Sequence, residues 1–152
     1  MIPQSDLYNN EIICAISIYS VLQHLKYISI SKALLIFPIV SHQGSLDFLK
    51  NNNTTIRSLE EFIIKKPSYF SNYNERYYSF LTLSINSLIF LKEIRLIQIQ
   101  DSQIILNEQE SLKLEKDTVG QRALNIAEAA PKLATILTDN ERNLYLQLRV
   151  KL

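Results

Sequence analysis

The sequence predicts a mainly α fold of the α+β class, a helical domain with a winged helix-turn-helix-like centre and one β-hairpin. Three observations predict it. Apolar residues recur at three- and four-residue spacing behind capping residues along most of the 152-residue chain. The period changes to two between Ile97 and Leu106, where a turn pair interrupts it. That alternating stretch comes directly after two helical segments, which gives the order helix, helix, wing.

Asn9 or Asn10 can cap a first helix opening at Glu11, where an acid suits the positive end of the dipole. Ile12, Ile16, Tyr19, Leu22 and Leu25 fall on one stripe that Ile13, Ile18 and Val21 widen, so this helix should be largely buried. Ser31 can start a short helix over Lys32–Phe37, which Pro38 should end, because the residue before proline avoids helical dihedrals. Ser45 offers a cap for the next, "LDFLK", and the asparagines 51–53 stop it.

"SLEE" at Ser58 is a capping box with Glu61 at its third helical position, and it opens a helix that runs to Pro67. From 71–74 onward a long helix over about 73–92 is expected, apolar around most of its circumference. Its strongest line is Tyr77, Phe80, Leu81, Ile85, Leu88 and Leu91, and such a helix belongs at the centre of a core. Ile97 and Ile99 then alternate with Gln98 and Gln100, Asp101-Ser102 supplies the turn, and 103–106 returns as the second hairpin strand. This places the winged-helix-like core at about 58–106.

"NEQESLKLEKDT" is polar enough to be an exposed connection. C-terminal helices are expected over about 118–148: "RALNIAEAA" from Gln121, a restart with Pro131 as the first residue of "KLATIL", and a further capping box from Thr138 to Glu141. Leu144, Leu146, Leu148, Val150 and Leu152 alternate, so a short strand is expected after the last helix. The length suits a single domain over 1–152, able to bury about two-thirds of its unfolded surface.

Sixteen Lys and Arg against fifteen Asp and Glu leave a net charge of +1, too little to drive non-specific phosphate binding. Any nucleic-acid contact would need a local patch. Two glycines in the whole chain exclude a P-loop, since phosphate-cradling loops need clustered glycines, and no ATP site or other cofactor is expected. The N-terminus has no secretory pattern and no apolar run approaches the length of a membrane span, so a cytoplasmic protein without a membrane partner is expected.

Cys14, His24 and His42 are the strongest nucleophile or soft-metal candidates, and they lack the paired spacings of a zinc site. Cys14 and His24 lie about 15 Å apart along one helix, too far for a dyad. Cys14 reads as a small buried residue and His24 as the polar edge of a helix terminus. The carboxylate pairs at Glu60-Glu61 and Glu108–Glu110 do not converge on one site. No catalytic or metal-binding residue is expected, and the chain reads as a non-enzyme; an enzyme using His42 is the reading that His42→Ala would test.

Lys65, Lys66, Arg76, Lys92 and Arg95 flank the winged-helix-like centre and are the candidate contacts to nucleic acid or a protein partner. A DNA-reading helix should offer polar side chains to a groove, and the long helix has only Asn74, Arg76, Ser79, Thr82, Asn86 and Lys92. Asp101 occupies the hairpin tip, where a DNA-tracking wing carries a base. Protein binding is therefore favoured over DNA reading, with a DNA-binding transcriptional regulator as the alternative.

Four stretches taken in order, "NNEIICAISIYSVLQHL", "ALLIFPIVSHQ", "SINSLIFLKEIRLIQIQDSQIIL" and "AAPKLATILTDNERNLYLQLRVKL", resemble the middle component of bacterial three-component ABC-ATPase systems. The broad group includes the Lamassu anti-phage systems. The likeness is strongest at Pro38, Val40 and His42, where the family tends to have Leu-Pro-aliphatic-Val and then a histidine. Gln43, Gly44, Leu46 and Lys50 stand where the family often carries basic residues and a Leu-Pro step. The resemblance implies a non-catalytic adaptor that joins an SMC- or Rad50-like ABC ATPase to an effector subunit in phage defence, with DNA reached through the complex.

Overall fold

The structure is a computed structural model that describes residues 4–152, with side chains from Asn10 onward except those of 116–118. Its order is α1 (Gln4–Leu25), β1 (Tyr27–Ser29), α2 (Ile30–Ala33), α3 (Ile36–Val40), α4 (Gln43–Lys50), α5 (Leu59–Lys65), a 3₁₀ turn (Pro67–Phe70), α6 (Tyr73–Ser79), α7 (Leu81–Glu93), β2 (Ile97–Gln100), β3 (Gln103–Leu106), α8 (Lys116–Ile136) and α9 (Glu141–Leu148). The class is mainly α with a small antiparallel sheet, as the periodicity predicts. α1 is the central helix, packed against α7 on one side and α8 on another, while α4 covers α8. Cys14, Ala15, Ile18, Val21 and Leu22 are buried along α1. No described helix is long and apolar enough to cross a membrane.

α1 starts at Gln4, well before the expected Glu11, and places Asn10 inside the helix. Lys26 closes it in the left-handed region (φ 71°), donating its N–H to Leu22 O at 2.7 Å. β1 comes at once and pairs antiparallel with β3. The two-stranded hairpin expected from the alternation is thus a three-stranded sheet of order β1-β3-β2. Its turn is as predicted: Asp101 and Ser102 both take positive φ (53° and 61°), which matches the right-handed strand twist.

Pro38 does not end a helix. It stands third in α3, in a first turn whose N–H groups have no helical acceptor, so the missing proton costs nothing there. The cap before it is Ser29, whose hydroxyl accepts from Lys32 N, rather than Ser31. α4 is capped by His42 rather than Ser45, for His42 Nδ1 accepts Ser45 N at 3.2 Å. The Ser58 box forms: Ser58 Oγ accepts from Glu61 N at 3.1 Å, and Glu61 reaches back one residue further than usual, to Arg57 N at 2.9 Å.

The expected long helix over 73–92 is two helices. Phe80 leaves helical geometry (φ −103°, ψ 5°) with its ring edge-on to Phe37 at 4.9 Å. α7 buries Ser84, Ser87, Leu88 and Leu91, which continue the line of Tyr73 and Tyr77 in α6, and leaves Ile85, expected on the buried line, 43% exposed. Ser84 and Ser87 are small enough to bring α7 close to α1, where Ser87 Oγ donates to Glu11 O at 3.2 Å.

α8 changes direction at Gly120 (φ 82°, ψ 170°), a conformation that favours glycine, and runs on as regular helix from Gln121. Pro131 lies inside it and starts no new helix. The buried face of Ala123, Ile126, Ala129, Ala130 and Leu133 against α1 and α4 outweighs one lost backbone bond. Asn140, not Thr138, caps α9 by accepting Asn143 N at 2.9 Å. The expected C-terminal strand is absent among the described residues. Arg149 turns the chain in the left-handed region (φ 57°), and Lys151 N donates to Asn74 Oδ1 at 2.8 Å, tying the tail to α6.

Candidate functional site

The corner from Leu35 to His42 is fastened from outside by α6. Tyr73, fully buried, donates its hydroxyl to Leu35 O at 2.8 Å. Arg76 Nε donates to Pro38 O at 3.0 Å, and the same guanidinium reaches Tyr69 O at 2.8 Å and Asn72 Oδ1 while lying 5.6 Å from the Tyr73 ring centre. Leu35 is the N-cap of α3, and the Pro38 carbonyl in its last turn accepts Ser41 Oγ at 3.3 Å as well as Arg76. Val40 is wholly buried beside them.

His42 completes the corner by capping α4 and resting on Tyr69, ring centres 5.0 Å apart. Gly44 allows this approach, since a Cβ there would meet Tyr69 Cε1 at 2.9 Å and His42 Cε1 at 3.0 Å. Burial, and then the positive charge of Arg76, lower the His42 pKa below its ordinary value. The neutral ring is the form that can accept at Nδ1, so the electrostatics and the cap agree.

The five basic candidates do not form one patch. Lys65 is paired with Glu61 at 2.9 Å, and Lys66 lies over the Phe48 and Tyr69 rings at 5.7 and 5.8 Å. Arg76 is committed to the corner just described. Lys92 and Arg95 do come together, at the end of α7 beside β2, where they line a groove with Ile97–Gln100 and Asn107. Arg95 is in the left-handed region (φ 66°), and its carbonyl accepts Asn107 Nδ2 at 2.8 Å, which fixes the turn into the sheet.

Cys14 is fully buried on α1, with Ser84 Oγ 3.8 Å from its sulfur; burial pushes the thiol up to about 11. A thiol that stays protonated at neutral pH is a poor nucleophile and a poor metal ligand. Among the described residues no group of three His, Cys, Asp or Glu side chains converges on a possible metal position.

Sequence periodicity alone misses one surface. The outward face of α7 carries two isoleucines: Ile85 and Ile89 are 43% and 48% exposed one turn apart, and Thr82 and Asn86 flank them. The spacing of Ile85 and Ile89 carries the signal, but a line drawn through the larger apolar residues takes Ile85 inward, whereas the small Ser84 beside it holds the buried position.

Comparison with known proteins adds a family and nothing else. The chain matches no curated protein and no solved structure. Residues 4–152, nearly the whole chain, match the family described as ABC-three component (ABC-3C) system Middle Component 3. With α1, the clasped corner, α7 and the C-terminal helices all inside that span, the chain belongs to the Middle Component 3 family of ABC-three component systems.

Proposed function

We propose that this chain is the non-catalytic adaptor of its system, a cytoplasmic subunit that joins an SMC- or Rad50-like ABC ATPase to an effector in anti-phage defence. The observation that carries the reading is the exposed Ile85–Ile89 pair on the outward face of α7. Contiguous exposed isoleucines on a helix mark a surface that a protein partner covers. Family membership supports the association with an ABC ATPase component. The packing of α1 against both α7 and α8, elements far apart in the chain, supports reading 1–152 as one domain.

The order α1, β1, short helices, α7, β2, β3, with β1 paired to β3, supports a winged-helix-like arrangement in which α7 precedes the wing. That arrangement keeps the alternative of a DNA-binding regulator in view. Two features weigh against it: isoleucines occupy the face of α7 that would enter a groove, and Asp101 occupies the wing tip. DNA then belongs to the assembled complex.

The test is co-expression with the ATPase encoded beside it. The wild-type chain should co-purify with the ATPase, and a variant carrying Ile85→Asp and Ile89→Asp should not, while its melting temperature stays within about 2 °C because exposed positions contribute little to stability. A wild-type chain that captures no ATPase refutes the adaptor reading. A duplex-DNA shift by the isolated protein that disappears on Lys92→Ala and Arg95→Ala would favour the regulator instead.

A further inference from the structure

The sheet has two edges, and they differ. β1 is three residues long, runs directly into α2, and has the α8–α9 corner beside it at Leu137 and Glu141. Lys32 Nζ is bound there to Leu137 O at 2.8 Å, and Ser31 Oγ donates to Glu141 at 2.5 Å, so the cavity of about 350 Å³ beside β1 is walled by the α8–α9 corner.

The β2 edge is open. Pairing with β3 runs Ile97↔Leu106, Gln98↔Ile105, Ile99↔Ile104 and Gln100↔Gln103. A two-residue turn makes Gln100 and Gln103 the pair that exchanges both backbone bonds, and the pattern alternates from there. Two bonds confirm the phase: Asn107 N donates to Leu96 O at 2.9 Å, and Leu106 N donates away from β2, to Lys26 O at 2.8 Å. Gln98 and Gln100 thus direct their backbone groups to β3, and Ile97 and Ile99 direct theirs outward. Among the described residues neither outward pair has a partner.

A groove of about 490 Å³ runs along this edge, with Lys92 and Arg95 at its side. Both are exposed, and among the described residues no carboxylate lies within salt-bridge distance of either. Outward N–H and C=O groups two residues apart, spaced about 7 Å, fit an extended peptide and nothing helical. Two unpaired cations beside them favour carboxylates on that peptide.

We propose that the β2 edge is a docking site for an extended acidic segment of a partner protein, which adds to the sheet as a further strand through the backbone of Ile97 and Ile99 and sets its carboxylates against Lys92 and Arg95. Nucleic acid fits less well. Phosphates need donors in a row, whereas Glu93 stands next to Lys92 and Asp101 caps the hairpin. The site extends the adaptor reading without depending on it, because strand addition is read on the isolated chain and adaptor function on co-purification.

The experiment is amide hydrogen exchange by NMR on the full chain, with a blocked peptide of alternating Val and Glu as the probe and its Val-Lys counterpart as the control. The Val-Glu peptide should slow exchange at Ile97 and Ile99 by about tenfold or more, with Gln98 and Gln100 unchanged because their amides are already bonded to β3. Lys92→Glu with Arg95→Glu should weaken that peptide about tenfold and leave the free protein's melting unchanged. Failure of the Val-Glu peptide to protect Ile97 and Ile99, or equal binding of the Val-Lys control, overturns the proposal. A DNA duplex that perturbs Lys92 and Arg95 while the peptide does not would replace it with a nucleic-acid site.

Discussion

Arg76 discriminates between a scaffold residue and a contact residue, and its loss can be worked out from the structure. Arg76→Ala removes a charged donor from Pro38 O at 3.0 Å and from Tyr69 O at 2.8 Å, and a cation from the Tyr73 ring. Hydrogen bonds from charged groups are worth about 1.5–3 kcal/mol each, and half-burial argues for the lower end here. The contact with the Tyr73 ring adds about 0.5–1 kcal/mol, while the exposed bond to Asn72 adds little. The expected loss is about 3.5–4 kcal/mol, which for a chain of this size lowers the melting temperature by about 7–16 °C. Urea unfolding should show a lower midpoint at unchanged slope. Arg76→Lys should recover only about a third, because one ammonium cannot serve two carbonyls held in different directions. If Arg76→Ala melts within about 1 °C of wild type while co-purification with the ATPase is lost, the clasp is wrong and Arg76 is a surface contact.

The same corner, and the core beneath it, support three further expectations. His42→Ala should cost about 1 kcal/mol through the lost α4 cap, read by urea unfolding. The His42 pKa is lowered in the folded protein, so the unfolded chain binds the proton more readily; stability should be full above about pH 6.5 and fall as pH drops below it, a slope that His42→Asn should remove from a melting-versus-pH series. Gly44→Ala should destabilise by about 1–3 kcal/mol, since its Cβ would meet the Tyr69 ring at 2.9 Å, and relieving that contact with Tyr69→Ala in the double variant should show as non-additivity. Cys14, protonated and fully buried, should resist Ellman's reagent at pH 8 in the native protein and react once in denaturant; fast native labelling would contradict the packing of α1 on α7.

Legible in the sequence is whatever neighbouring residues decide among themselves. The Ser58 box and the Asp101-Ser102 turn are local chemistry, complete within four or five residues, and both form where expected. Pro131 and Pro38 mislead for the opposite reason. A proline's local preference is worth a few kcal/mol at most, and the packing of α8 between α1 and α4, or a position in a first turn, decides against it. β1 is invisible because three residues carry no period; it exists because β3 lies beside it. The outward position of Ile85 turns on Ser84, a small polar residue that reads as surface in the sequence yet is buried against Cys14 of α1, seventy positions away.

The same distinction explains the basic residues. Lys, Arg and His look alike in a sequence whether their donors serve a partner or the chain itself. Here the choice depends on backbone supply: the very short α3 and the first turn of α4 leave the Pro38 carbonyl and the Ser45 N–H without helical partners, and Arg76 and His42 satisfy them. Lys92 and Arg95 stand beside a strand whose inner groups are already bonded to β3, so their charges have no such employment and face the groove. Cations near unsatisfied backbone hold the fold, whereas cations near an open strand edge are the ones the proposed strand-addition site would use. By that criterion the motif at Pro38, Val40 and His42 holds α6, and through the Phe37–Phe80 contact the start of α7, in place.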